Sequence, residues 1–239
     1  MALLEGRKIS KSFGGVQALS QVDFSVEAGT IVALIGPNGA GKTTLFNAVA
    51  GAFKPSSGQV VFDGRDITGL PANAVCRLGM ARTFQVTRPF AAMTCLENIM
   101  VAAVNRYPQK PRSFIESFAR EKLNRVGLAD MEGFEARHLN VIQKKRLEMA
   151  RALATDPKLL MLDEVLGGLN TQEIQQAVAF IRSLRDQFGL SVLWIEHVMG
   201  AVMQAAERVI VLDQGRVLMT GTPHEVVNDP RVIQAYLGD

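Results

Sequence analysis

The sequence predicts an α/β protein with a mainly parallel sheet covered on both faces, a strand-rich beginning and an inserted helical subdomain. Three observations predict it. Continuous apolar runs of strand length, "TIVALIG", "KLLMLDE" and "SVLWIEH", suit strands buried on both faces. Helical patterns alternate with them, which favours a parallel sheet. Between about Asn73 and Ala154 the pattern turns helical and less regular. The 239 residues suffice for one large domain or two small ones with a sizeable core.

The elements follow in order. The first 70 residues read mainly as strands: "QVDFSV" alternates at Val22, Phe24 and Val26, as a half-buried strand does. "TIVALIG" follows as a buried strand, and "GQVVFDGRDI" adds a strand and a turn. Within the helical middle, the two prolines of "YPQKPR", Tyr107 to Arg112, mark a loop. After the strand "KLLMLDE", residues Thr171 to Gln187 form an amphipathic helix with Ile174, Ala177, Val178, Ile181 and Leu184 on one face. Ser191 to Leu212 reads as strand, helix, strand, and "RVIVLDQGRVLMTG" closes the sheet.

Composition excludes several classes. Charged residues make up 21% and hydrophobic ones 48%, an ordinary globular balance. A net charge of +3 is too small to demand nucleic acid, although it suits anionic ligands. Two cysteines, Cys76 and Cys95, point to a reducing compartment rather than a disulfide framework. "MALLEGRKIS" carries no secretory apolar region, and no run of about 20 apolar residues spans a membrane.

The most specific local signal is "GPNGAGKTT", which fits G-x-x-x-x-G-K-[ST] between a buried strand and a helix. Gly36, Pro37, Asn38, Gly39, Ala40, Gly41, Lys42, Thr43 and Thr44 would wrap a phosphate chain in backbone N–H groups. The helix N-terminus adds its positive end. Lys42 would sit on the β- and γ-phosphates, and the Thr43 hydroxyl is a hard oxygen ligand for Mg²⁺. "LLMLDE" would deliver Asp163 to Mg²⁺ through water, and Glu164 to the attacking water. His197 closes "LWIEH". A lone histidine is more often structural, but a strand end of the same sheet makes this one a candidate sensor of the γ-phosphate. Trp194 reads as core. Gln85 gains interest only from its position, where the first half passes into the helical middle.

Together these pieces resemble the nucleotide-binding subunit of ABC transporters, over essentially the whole chain. The resemblance implies a single nucleotide-binding domain over residues 1–239, built on a P-loop NTPase core. It also implies an N-terminal antiparallel β subdomain and a helical subdomain inserted at 86–155. It makes Gly36–Thr44 the Walker A loop, Gln85 a Q-loop residue and further Mg²⁺ ligand, and Asp163 and Glu164 the Walker B acids. "GGLN" at Gly167–Asn170 resembles a D-loop, and His197 the switch histidine. Phe13 stands where the family stacks an aromatic on adenine; the alternative is a core phenylalanine. Catalysis would rest on Glu164, His197, Gln85 and Lys42, with ATP and Mg²⁺ as cofactors.

"SKSFGGVQAL", "ARTFQVTRPFAAMTCLENIMVA" and "GTPHEVVNDPRVIQAYLGD" are similar to the ATPases of branched-chain amino-acid importers, and lipopolysaccharide-export ATPases are the nearest rival. The implied partners are integral-membrane permease subunits, a second ABC ATPase in a heterodimer or homodimer, and, indirectly, a periplasmic or extracellular binding protein. No nucleic acid is implied. The implied location is peripheral, on the cytoplasmic face of the inner (plasma) membrane. A non-transport ABC ATPase would usually carry a coiled-coil insertion or tandem cassettes, and neither is present. A regulatory subunit that binds ATP without useful turnover is the other alternative.

Two departures from the family pattern stand out. Val165 replaces the usual proline after the acids. More important, "LNVIQ", Leu139–Gln143, occupies the place of the signature LSGGQ, which in a closed dimer faces the γ-phosphate held by the other subunit. Asn140 can still cap the helix, with Gln143 three residues on as in a capping box. The serine hydroxyl is gone, and the β-branched Ile142 stands where backbone should approach closely. Val141 alone could be harmless.

Overall fold

The computed structural model describes residues 2–84 and 87–237, with only the backbone of Leu237 included. In chain order the strands are β1 (Ala2–Phe13), β2 (Val16–Glu27), β3 (Ile31–Ile35), β4 (Ser57–Phe62), β5 (Arg65–Asp66), β6 (Met80–Arg82), β7 (Leu159–Asp163), β8 (Ser191–Ile195), β9 (Arg208–Asp213) and β10 (Arg216–Gly221). The helices are α1 (Lys42–Val49), α2 (Ala72–Arg77), α3 (Cys95–Arg106), α4 (Arg112–Arg125), α5 (Val141–Leu153), α6 (Thr171–Phe188), α7 (Met199–Ala205), α8 (Pro223–Val227) and α9 (Pro230–Leu237).

Two compact units result, Met1–Val75 with Met161–Asp239, and Cys76–Leu160. In the first unit, β2-β1-β4-β5 form an antiparallel sheet. A second sheet runs β10-β9-β3-β8-β7. Strand β3 is parallel to both neighbours, with Leu34 level with Ile195 on β8 and Ile210 on β9. The β9–β10 hairpin is antiparallel. Strands β3, β7 and β8 are buried along their whole length, as continuous apolar runs require. On one face, Ala33 and Ile35 pack with Val202 of α7, Val209 and Val211 of β9, Val226 of α8 and Val232 of α9. Helix α6 presents the expected face, with Val178, Ile181 and Leu184 buried and Gly189 closing it in the left-handed conformation.

The second unit is the helical middle. Helix α3 opens on a Thr94–Glu97 capping box, and buries Ile99 and Ala103. Helix α4 buries Ile115, Ala119 and Leu123, and α5 buries Leu147 and Ala150. The unit is wider at both ends than residues 86–155, for a local reason. The Gly79 carbonyl accepts the N–H groups of Lys158 and Leu159, at 2.7 and 3.1 Å, so the entering chain before β6 and the departing β7 are tied to each other.

Leu34 tests the centre of the sheet, since it is fully buried on the strand between β8 and β9. Leu34→Ala removes three carbons where the neighbours cannot collapse. It should lower unfolding free energy by about 2–5 kcal/mol in chemical denaturation. A loss below about 1 kcal/mol would mean that this strand is not the packed centre.

Candidate functional site

Strand β3 ends at Ile35 and the chain turns at once into the loop Gly36–Gly41. Gly36 is held at φ 148°, and a Cβ there would lie 2.0 Å from the Leu212 carbonyl oxygen of β9. No other residue fits without moving backbone. Pro37 is half-buried, while Asn38 and Gly39 are exposed at the crest. Ala40 returns to the interior, its N–H bonded to the Pro37 carbonyl at 3.2 Å and its own carbonyl to Gly215 N–H at 3.0 Å. Gly41 starts α1 at φ 101°, with a hypothetical Cβ 2.7 Å from the Ala18 carbonyl.

The start of α1 differs from four other helix starts in the chain. Helices α3, α5, α6 and α8 each close their N-termini with a capping box. Helix α1 has no side-chain cap and no acid in its first turn. Its first N–H groups and its positive dipole end remain available to an anion. Lys42 is buried in the loop, where its Nζ donates to the carbonyls of Gly36 at 2.7 Å and Pro37 at 2.9 Å. Burial lowers its pKa, and the charge of Glu164 opposes that shift. Thr43 is exposed and Thr44 half-buried.

Asp163 ends β7 and is buried, at 5% exposure. Glu164 follows it in the left-handed region, at φ 47°. Its N–H donates to the Ile195 carbonyl at 3.0 Å, which fixes the end of β7 beside the end of β8. Val165 is half-buried. His197 lies two residues beyond β8 with its side chain 60% exposed. Its imidazole Nδ1 is 3.3 Å from a carboxylate oxygen of Glu196. Glu196 is itself buried, and accepts the backbone N–H groups of His197 at 2.9 Å and Val198 at 3.3 Å. It braces the turn that carries His197, a role its place in the sequence did not reveal. Trp194 is fully buried. The structure thus brings the loop, the two acids and the histidine to the ends of β3, β7 and β8, neighbours in one sheet.

Phe13 is no core residue. It ends β1 at 47% exposure, with its ring edge-on to Phe53 at 5.4 Å and Lys11 Nζ 5.0 Å from the ring centre. Gln85 lies outside the described residues. The residues on either side of residues 85–86 are tied to α5: Glu148 accepts the Phe84 N–H, and Arg151 donates to the Arg88 carbonyl at 3.2 Å. Burial pushes the Glu148 carboxyl up, against the Phe84 N–H and the nearby Arg151.

Helix α5 begins as its sequence suggests. Asn140 Oδ1 accepts the Gln143 N–H at 2.9 Å, and Gln143 Oε1 accepts the Asn140 N–H at 2.9 Å. Val141 is 64% exposed, whereas Ile142 is half-buried.

A family model described as "ABC transporter" matches residues 19–167, which take in the loop and both acids. The chain belongs to the ABC transporter family. A second model, "Branched-chain amino acid ATP-binding cassette transporter", matches residues 216–239 of this cassette. The cassette is 39% identical over 250 aligned positions to the high-affinity branched-chain amino acid transport ATP-binding protein BraF of Pseudomonas aeruginosa, covering 99% of this chain and 98% of that one. It is 38% identical to the corresponding LivG protein of Escherichia coli, with the same coverage. Among solved structures, the ADP conformation of an ATP-binding cassette of an ABC transporter matches over all of both chains, with a TM-score of 0.91 and 29% identity. A nucleotide-free cassette matches with a TM-score of 0.89 and 29% identity. This chain is therefore an ATP-binding, ATP-hydrolysing cassette of a transporter.

Two substitutions separate loop shape from loop charge. Gly36→Ala should lose Mg·ATP binding and thermal stability together, because its Cβ meets backbone. Lys42→Ala should lose binding with a much smaller change in melting temperature. Calorimetric titration and thermal unfolding of both variants check this, and a Gly36→Ala protein with the wild-type melting temperature would refute the clash.

Proposed function

We propose that this cassette is one of two ATPases that drive an importer of branched-chain amino acids. The observation that carries the reading is similarity along the whole chain to proteins so named, together with the branch-specific match at residues 216–239. Its partners are permease subunits at the cytoplasmic face of the membrane and a second cassette. An external binding protein acts on it only through the permease. Among the described residues no helix is long and apolar enough to cross a membrane, so the permease supplies the path.

Bound ATP supplies the phosphoanhydride bond whose cleavage powers transport. The loop 36–44 would hold its phosphates through backbone N–H groups at its crest and at the start of α1, with Lys42 neutralising their charge. Phe13, exposed on β1, offers a ring face to adenine. Thr43, Gln85 and Asp163 would hold Mg²⁺, for which a hydroxyl and a carboxylate are suitable hard oxygens, and the metal would neutralise phosphate charge. Glu164 accepts a proton from the attacking water. His197, its side chain exposed and its backbone braced by Glu196, is free to reach the terminal phosphate in the role proposed for it.

The signature segment makes the two sites of a cassette pair unequal. Each site joins one cassette's loop to its partner's signature helix. This chain's loop would meet a partner signature with serine and glycine. The opposite site would meet Asn140, Val141, Ile142 and Gln143. Since Asn140 Oδ1 and Gln143 Oε1 are both turned onto the helix, the amide NH₂ groups of these two side chains are left as donors for a phosphate. The helix dipole also persists, but the Ile142 side chain stands where glycine would let backbone approach. A lost transition-state donor costs about 3 kcal/mol, or roughly a hundredfold in rate.

Reconstitution of the complete importer tests both levels. Leucine, isoleucine and valine, presented by the binding protein, should stimulate ATP hydrolysis, and failure of all three would refute the substrate class. Within that complex Glu164→Gln should abolish nearly all turnover, while the same change in the partner should remove little. Equal losses would contradict the unequal sites unless restoring serine at 140 and glycine at 142 still raised the rate.

A further inference from the structure

We propose that Tyr236, in the last turn of α9, is a positioning residue for the phosphate loop. Its phenol oxygen accepts the backbone N–H of Gly36 at 2.7 Å, across 200 residues of chain. Gly36 is then held from every side. Its carbonyl accepts Lys42 Nζ at 2.7 Å, and its α-carbon faces the Leu212 carbonyl so closely that a Cβ would lie 2.0 Å from it. One residue thus meets β9 by contact, α1 through Lys42 and α9 through Tyr236.

The placement of α9 supports the assignment. Val226 of α8 and Val232 of α9 are buried against Ala33 and Ile35, the strand that runs directly into Gly36. Asp229 fixes the start of α9: its carboxylate accepts the Arg231 N–H at 2.8 Å, and the Arg231 side chain pulls its pKa to about 2. The tyrosine, by contrast, remains 41% exposed, so ring burial alone does not account for its seat. The hydroxyl does, because Gly36 has just left the sheet and its N–H needs an acceptor. Burial raises the phenol pKa above its ordinary value, so the acceptor is a neutral oxygen at physiological pH.

The consequence is preorganisation. A loop whose first peptide is fixed need not be ordered when phosphates arrive, and ordering costs affinity. The C-terminal segment, which matches the branched-chain model, thereby becomes part of the nucleotide site. The inference rests on reading residues 36–44 as the phosphate cradle.

Tyr236→Phe in the full-length cassette removes the acceptor and keeps the ring. Hydrogen exchange, measured by mass spectrometry without nucleotide, should accelerate in the peptide containing Gly36 and stay unchanged in peptides from α8 and β9. Melting temperature should remain near wild type. Affinity for Mg·ATP and Mg·ADP should fall about threefold to tenfold, the worth of one hydrogen bond. Tyr236→Leu removes ring packing as well. If Tyr236 merely packs, the Phe variant will match wild type in exchange and affinity while the Leu variant is destabilised, and the proposal is overturned. Lys42→Ala, titrated in parallel, separates the two levels. If it binds Mg·ATP like wild type, the cradle reading fails, while exchange at Gly36 in the Phe variant still decides whether Tyr236 holds the loop.

Discussion

Strand β3 is hydrogen-bonded on both edges, to β8 and β9, and buried along its length. That double constraint leaves it no freedom to slide, since a one-residue slip would turn every side chain to the other face. The geometry of the site hangs from it. The register sets where Ile35 ends, and so where Gly36 meets the Leu212 carbonyl. The same register sets where β8 ends, and the Glu164 N–H bonded to Ile195 carries the acids of β7 to that level. Loop, acids and histidine converge because three strand ends are fixed against one another by backbone.

Helix termini divide the molecule's electrostatics. Helices α3, α5, α6 and α8 satisfy their first donors with their own side chains, so their ends are electrostatically quiet. Helix α1 keeps its donors outward and adds the buried Lys42. An uncapped helix start and a buried lysine therefore coincide at the end of β3. At α5 the Asn140–Gln143 box secures the helix, but it leaves bulk, in Val141 and Ile142, where the family pattern has small residues.

Much of this was legible from sequence because it is local. Buried strands announce themselves as apolar runs, and α6 was readable to within one residue from a 3.6-residue period. The loop Gly36–Thr44 follows from glycine spacing between a strand and a helix. The capping box of α5 was visible as Asn140 and Gln143. What sequence could not supply is non-local or conformational. Tyr236 and Gly36 are 200 residues apart, and no periodicity links them. Glu196 looked like an interruption in an apolar segment and proves to be the brace of a turn. The exposure of Phe13 depends on where β1 ends. The width of the helical unit depends on the bonds from Gly79 to Lys158 and Leu159, which pair the two ends of a long excursion.

The backbone of Glu164 has a consequence of its own. Among the described residues other than glycine with positive φ, Asp63 and Gln214 precede glycines in tight hairpins, whereas Glu164 directly follows a buried strand, at φ 47°. The left-handed conformation costs a side chain with a Cβ about 1 kcal/mol that glycine would not incur. Folding alone would therefore favour glycine at this position, and Glu164 stands there against the preference of the backbone. With the role proposed for Glu164, such a site sets stability against activity: replacements that relax the strand end would make a sturdier protein and a poorer catalyst. Selection for thermal resilience alone would act against this carboxylate, and, with the role proposed for it, selection for transport would keep it.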